Sequence, residues 1–270
     1  MAHLRKRILG TCAAALMATG VAAKNDITVA MQLEPPHLDP TSAAAGAIDQ
    51  VLYSNVFEGL TRFMGDGSVV PGLAQSWEIS DDGLTYTFKL QSGVTFHDGT
   101  TMDAADVKFS LDRINAEDSA NAQKALFGAI SEVTVVDPST VEIKLSEPDG
   151  NLLFNLAWGD AVIVAPESID NIKQLPIGTG AFKFVNWTQG DSLQLERNPD
   201  YWGKDLAINK GRHNYDELRV EYFADETAAF EAFKAGEYTF RAETNSKQWS
   251  TGYDFPAMEN GYVVKEEIPD

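Results

Sequence analysis

Apolar residues divide the chain from Ile27 onward into short strands and short helices. Ile27 to Leu33 (ITVAMQL) is an unbroken β-rich run, which predicts a buried first strand. Glu34-Pro35-Pro36 ends it, because proline has no N–H to give a ladder. Ile48, Val51, Leu52, Val56 and Leu60 recur at helical spacing and predict a helix over 47–60. Trp77, Ile79, Leu84, Tyr86, Phe88 and Leu90 alternate around the turn Asp81-Asp82-Gly83, as in an antiparallel hairpin with one buried face. Asp103 caps a helix whose face is Val107, Leu111 and Ile114. Val133–Val136 and Val141–Leu145 flank Asp137-Pro138-Ser139 as a second hairpin.

Further on, 151–157 reads as helix and 161–164 as a short strand. Strands are expected at 182–185 and 193–197 around Gly190-Asp191, and again at 218–223. Asp225 to Gly236 is a capped helix with Phe230 and Phe233 inward. Strands close the chain at 238–241 and 262–268. The order is mixed α/β with many antiparallel pairs, not a regular βαβ alternation.

The stretch before Ile27 has another character. Arg5, Lys6 and Arg7 precede the 16-residue apolar run ILGTCAAALMATGVAA, with Val21 and Ala23 at −3 and −1 of a cleavage site before Lys24. Residues 1–23 therefore read as a secretory signal peptide; a membrane span needs about 20 apolar residues. Cleavage removes Cys12, the single cysteine, and leaves a chain with no thiol chemistry. Three of 21 basic residues go with it, so 18 remain against 40 acidic, a net charge of −22. Such a surface repels phosphate backbones, so a nucleic-acid partner is not expected. The bacterial periplasm suits an exported, cysteine-free chain.

Catalytic patterns are lacking. His3, His37, His97 and His213 stand at no metal-ligand spacing, and neither a Gly-x-Ser-x-Gly elbow nor a P-loop occurs. Neither a metal nor a cofactor is expected. His97-Asp98-Gly99 is read as a turn, since Asp-Gly favours one. The abundant carboxylates read as a solvated face.

Four runs resemble the family-5 extracellular solute-binding proteins, the peptide, nickel and glutathione receptors of ABC importers. The longest is LAQSWEISDDGLTYTFKLQSGVTFHDGT, from Leu73 to Thr100. DVKFSL from Asp106 to Leu111, PIGTGAF from Pro176 to Phe182 and NPDYWG from Asn198 to Gly203 follow, with Ala181 where the family usually has proline. NKGRHNYDELR, EAFKAGEYTFR and YDFPAMENGYVVKEEIPD are similar to the oligopeptide and microcin C-type branch. The resemblance implies a periplasmic-binding-protein fold of class II, with 24–270 as most of lobe I and the second lobe missing. The family's two-lobed chains are roughly twice as long, so the chain is expected to be the N-terminal portion of such a receptor, where single domains hold about 50–250 residues.

The same resemblance implies a peptide or peptide-like ligand, an ABC permease complex in the inner membrane as partner, and a monomer. It places lobe-I contacts on loops after strands: Glu34 and Pro35 after the first strand, Thr179 between Gly178 and Gly180, and Glu243, Thr244 and Asn245 after the strand at 238–241. Trp249 is expected to stack on a ligand and Trp158 to line the cleft floor. One lobe has contacts on one side only, so the chain alone is expected to bind weakly. Two other functions stay open at this point: a secreted carboxylate-dependent hydrolase and a sensory solute receptor.

Overall fold

The computed structural model describes residues 25–42, 46–241, 249, 251–261 and 264. The expected signal peptide lies outside these, as does the expected strand at 262–268 apart from Val264. Two four-stranded sheets and a small two-stranded ribbon carry the fold.

In the first sheet, β1 (Asp26–Met31) pairs in parallel with β10 (Glu217–Tyr222), which continues antiparallel into β9 (Ser192–Arg197) and β8 (Phe182–Thr188). The other large sheet is antiparallel throughout, in the order β4 (Ala74–Ile79), β5 (Thr85–Leu90), β7 (Thr140–Leu145), β6 (Ile130–Asp137). Both expected hairpins are therefore present, with a further strand pairing joining them. The ribbon is β2 (Thr61–Phe63) with β3 (Val69–Pro71).

Each large sheet has its own core. Phe88, Val107, Leu111, Phe127 and Ile143 are fully buried between the antiparallel sheet and helix α2 (Ala104–Asn115). Asp103 caps α2 by accepting from Ala105 N–H, while Asp106 accepts from the Asp103 N–H, a reciprocal capping box. Ile48, Val51 and Leu52 of α1 (Gly46–Leu52) meet Leu193, Leu195 and Val220 of the mixed sheet. A third, aromatic cluster forms under α4 (Glu226–Ala235), where Phe230 and Phe233 meet Tyr238 and Phe255. Asp225 caps α4 and Gly236 ends it with φ +77°, as the pattern implied.

Several expectations need correction. The first strand is half-buried, not buried: among the described residues it lies at the end of its sheet and meets a single bridge, Val29 to Phe240, on its far flank. That bridge is all that forms of the expected strand at 238–241. The helix expected over 47–60 stops at Leu52: Ser54 takes a left-handed φ of +61°, and the chain turns. Val56 and Leu60 are fully buried nonetheless, so the periodicity marked burial rather than helix. The expected strand at 161–164 contributes one bridge, Gly59 to Val162, since its backbone is consumed by the 58–59 segment. In the first hairpin, Ile79 is exposed and Trp77 half-buried, because β4 is an edge strand.

Candidate solute-binding face

Residues 53–63 form the hub of the molecule. Glu58 is buried on this segment and accepts three hydrogen bonds: from the Tyr201 hydroxyl at 2.8 Å, the Trp202 indole N–H at 2.8 Å and the Thr179 hydroxyl at 2.9 Å. Burial pushes its pKa up, and the three donors with the nearby Arg62 charge oppose that. The NPDYWG and PIGTGAF runs, distant in sequence, thus converge on one carboxylate. Glu58 itself carried no signal in the sequence beyond standing ahead of the buried Leu60; only the fold brings its donors to it.

The Gly178–Gly180 loop is held by backbone proximity. A Cβ on Gly178 would lie 1.9 Å from the Val56 carbonyl oxygen, and one on Gly180 2.3 Å from that of Asn55. Its outer side is pinned by His97, whose N–H donates to Gly178 O at 2.9 Å and whose Nε2–H donates to Gly180 O at 2.9 Å. Burial drops the His97 pKa to about 4, so the ring is neutral and structural, in keeping with the turn reading.

Beside this hub an aromatic row reaches solvent. Tyr53 stacks on Phe63 at 6.3 Å, Phe63 meets Phe154 at 5.6 Å, and Phe154 meets Trp158 edge-on at 6.1 Å. Phe63, Phe154 and Trp158 are 41%, 36% and 37% exposed, high values for side chains of this size held so close together. The Tyr53 hydroxyl donates to Ala157 O and so fixes the turn that carries Trp158. Below that turn, burial and then the charge of Asp160 raise the Asp49 pKa to about 6.

The expected contact residues fall in different places. Trp158 is on the aromatic row. The half-buried Glu34 spends its carboxylate on Trp187 Nε1–H at 2.8 Å and on Gly190 N–H at 2.9 Å, tying the end of β1 to the β8–β9 turn. Pro35 is buried beside it in sequence. Thr179 has no exposed surface and faces Glu58. Trp249 is half-buried, edge-on to Tyr253 at 5.9 Å. Glu243, Thr244 and Asn245 lie outside the described residues. Sequence reasoning missed Tyr53, Phe63 and Phe154, whose spacing follows no single period.

Among the described residues no cluster of three or more His, Cys, Asp or Glu is placed to hold a metal ion. No helix among them is long and apolar enough to cross a membrane.

The described residues form a mixed α/β body that presents an exposed aromatic row. Residues 68–268 match the bacterial extracellular solute-binding proteins, family 5, middle region, and the chain belongs to that family. It is 37% identical over 193 residues to the glutathione-binding protein GsiB of Pectobacterium atrosepticum, covering 70% of this chain and 37% of the relative. It is 31% identical over 231 residues to the uncharacterized protein YejA of Escherichia coli K12, covering 82% of this chain and 37% of the relative. Among solved structures, the periplasmic binding protein DppA of Helicobacter pylori in complex with peptide STSA superposes with a TM-score of 0.75 at 26% identity, covering 86% of this chain and 49% of that one. The chain thus spans half or less of the length of these relatives. The fold is that of the family's periplasmic binding proteins, which bind substrates rather than convert them.

Proposed function

We propose that this chain forms one wall, lobe I, of a cleft that captures peptides or peptide-like solutes in the periplasm for an ABC permease in the inner membrane. The observation that carries the reading is the exposed row Tyr53–Phe63–Phe154–Trp158 on an otherwise acidic surface. Flat aromatic faces accept side chains of varied shape, which suits a receptor for sequence-variable solutes. The names of two relatives point the same way, GsiB to glutathione and DppA to a peptide. Contacts to a second wall would shift the two-walled form toward closure, and the solute would leave chemically unchanged.

Nuclear magnetic resonance of the five tryptophan indole N–H groups tests this. Titration with tripeptide mixtures to millimolar concentration is expected to move the Trp158 resonance while Trp187 and Trp202, committed to Glu34 and Glu58, stay in place. An unmoved Trp158 signal, or peptide fragments in the sample, would refute the reading. Replacing Phe63 by Ala leaves that reporter in place and is expected to weaken the Trp158 shift at millimolar peptide with little change in folding stability.

A further inference from the structure

The turn that carries Trp158 is gripped on both sides by the end of α1. On one side the Tyr53 hydroxyl donates to Ala157 O. On the other the Asp49 carboxyl packs against Gly159, where a Cβ would lie 2.2 Å from Asp49 Oδ1 and 2.6 Å from its Cγ. Asp49 and Tyr53 stand one helical turn apart, and Tyr53 N–H donates to Asp49 O at 3.1 Å. Within the turn, Ala161 N–H donates to Trp158 O at 3.0 Å, and the Asn121 side-chain amide donates to Asp160 O at 2.9 Å. Trp158 is therefore placed by a short, bonded turn and its two anchors on α1.

The two anchors differ in chemistry. Burial pushes the Tyr53 pKa up to about 12, so its hydroxyl stays a donor through the neutral range. Asp49 instead faces Asp160, which is 5% exposed, and burial raises the pKa of both acids. Among the described residues no cation lies within ion-pair distance of either carboxyl. The elements packed on the Gly159–Ala161 turn supply none. On α2, Lys108 is paired with Asp112, Arg113 with Asp39, and Asp106 is held in the capping box. The Pro40–Ser42 turn has no charged side chain. Lys124, close to Asn121 in sequence, donates to Ala116 O and Glu117 O. Glu58, whose carbonyl accepts from Ile163 N–H, adds only another acid. Two adjacent carboxylates without a counter-charge repel, more strongly where water is excluded. One proton held by the pair removes that repulsion.

From the contact of Asp49 on Gly159, the adjacent Asp160 and the lack of a counter-charge, we infer that these two acids form a proton-operated latch on the Trp158 turn. With one proton on the pair, Asp49 stays against Gly159 and Trp158 is set in the aromatic row. With both ionised, the Asp49 carboxylate is drawn toward water, its contact on Gly159 loosens and Trp158 shifts. The latch is closed below about pH 6, where the folded chain holds the proton, and opens as pH rises through that value. That the shift alters solute capture rests on the reading of the row given above; the latch itself is observable without solute.

The test follows the Trp158 indole N–H resonance of the whole chain, without solute, from about pH 5 to about pH 7.5. A titration step with its midpoint at about 6 is expected, which the Trp77 resonance on β4 does not share. Asp49→Asn, neutral at every pH, is expected to abolish the step and hold Trp158 at its acid-side position. Asp160→Asn keeps the titrating group but removes the neighbouring charge, and is expected to move the midpoint to lower pH. Asp106, whose pKa burial also raises to about 6, is the control acid: Asp106→Asn is expected to leave the step in place. A Trp158 resonance that does not titrate over this range would overturn the inference, as would a step that survives Asp49→Asn. If Asp49→Asn fails to fold, Asp160→Asn decides, and an unmoved midpoint there overturns the latch. A Trp158 signal that titrates with pH yet ignores peptide would refute the peptide reading and leave the latch standing.

Discussion

Replacing Glu58 by Ala strips the acceptor from three buried donors at once, the Tyr201 hydroxyl, the Trp202 indole N–H and the Thr179 hydroxyl. Leaving a buried donor unsatisfied costs about 1–3 kcal/mol. Partial relaxation and water entry reduce the sum, so the expected loss is about 3–5 kcal/mol, the range seen when one side of a buried charged network is removed. Against a typical domain stability of about 5–15 kcal/mol this is a third or more of the total. Glu58→Gln is the informative companion. Its one remaining oxygen can take the place of Oε2 and keep Trp202 and Thr179, while its amide faces the Tyr201 hydroxyl, which rotates to accept. The expected cost is about 1–2 kcal/mol. Urea unfolding at neutral pH, with an unchanged slope, reads both values. The Trp202 indole resonance provides a local check, shifting in the Ala variant and holding in the Gln variant. If Glu58→Ala unfolds within about 1 kcal/mol of wild type, or Gln is worse than Ala, then Glu58 is not the joint that the geometry describes.

Gly178→Ala drives a Cβ into the Val56 carbonyl oxygen, so it is expected to cost about 3 kcal/mol or more, seen as a lowered thermal midpoint; a neutral result would refute the close approach. Asp49 has its pKa raised to about 6, so between about pH 4 and 6 the folded chain holds a proton that the unfolded chain has released. Its contribution is therefore greatest below about pH 4 and lost as pH rises through about 6. Asp49→Asn is expected to stabilise the chain by about 1 kcal/mol at pH 7.5 and much less at pH 4.5, and denaturation at the two pH values decides it. Asp103→Ala removes the α2 cap and is expected to cost about 1–2 kcal/mol in urea unfolding, with the loss smaller if Asp106 alone holds the first turn.

The elements whose reasons are local were legible in the chain. The Asp103 and Asp225 caps, the Gly236 stop and both hairpins follow from residues a few positions apart, and each forms as its own chemistry dictates. The motif runs were also legible, and they carried the family. The extent of α1 was not, because burial at Val56 and Leu60 mimics a helical period when the chain folds back on itself. Contact residues were the least legible. Glu34 follows a strand end and Thr179 sits in a glycine-flanked loop ahead of β8, positions that suit a ligand contact and equally suit a joint, and here both bond to the protein itself.

By itself the sequence determined the local punctuation, the acidic balance and the kinship with solute-binding receptors, because capping, turn chemistry and motif spacing act over short stretches of chain. Tertiary structure alone decided that Thr179, Tyr201 and Trp202 meet on Glu58 and that Tyr53, Phe63, Phe154 and Trp158 line up at the surface. Those juxtapositions join residues up to about 140 positions apart, and no local preference encodes them. They arise from how the two sheets bury their apolar faces around the 53–63 segment, a property of the whole core.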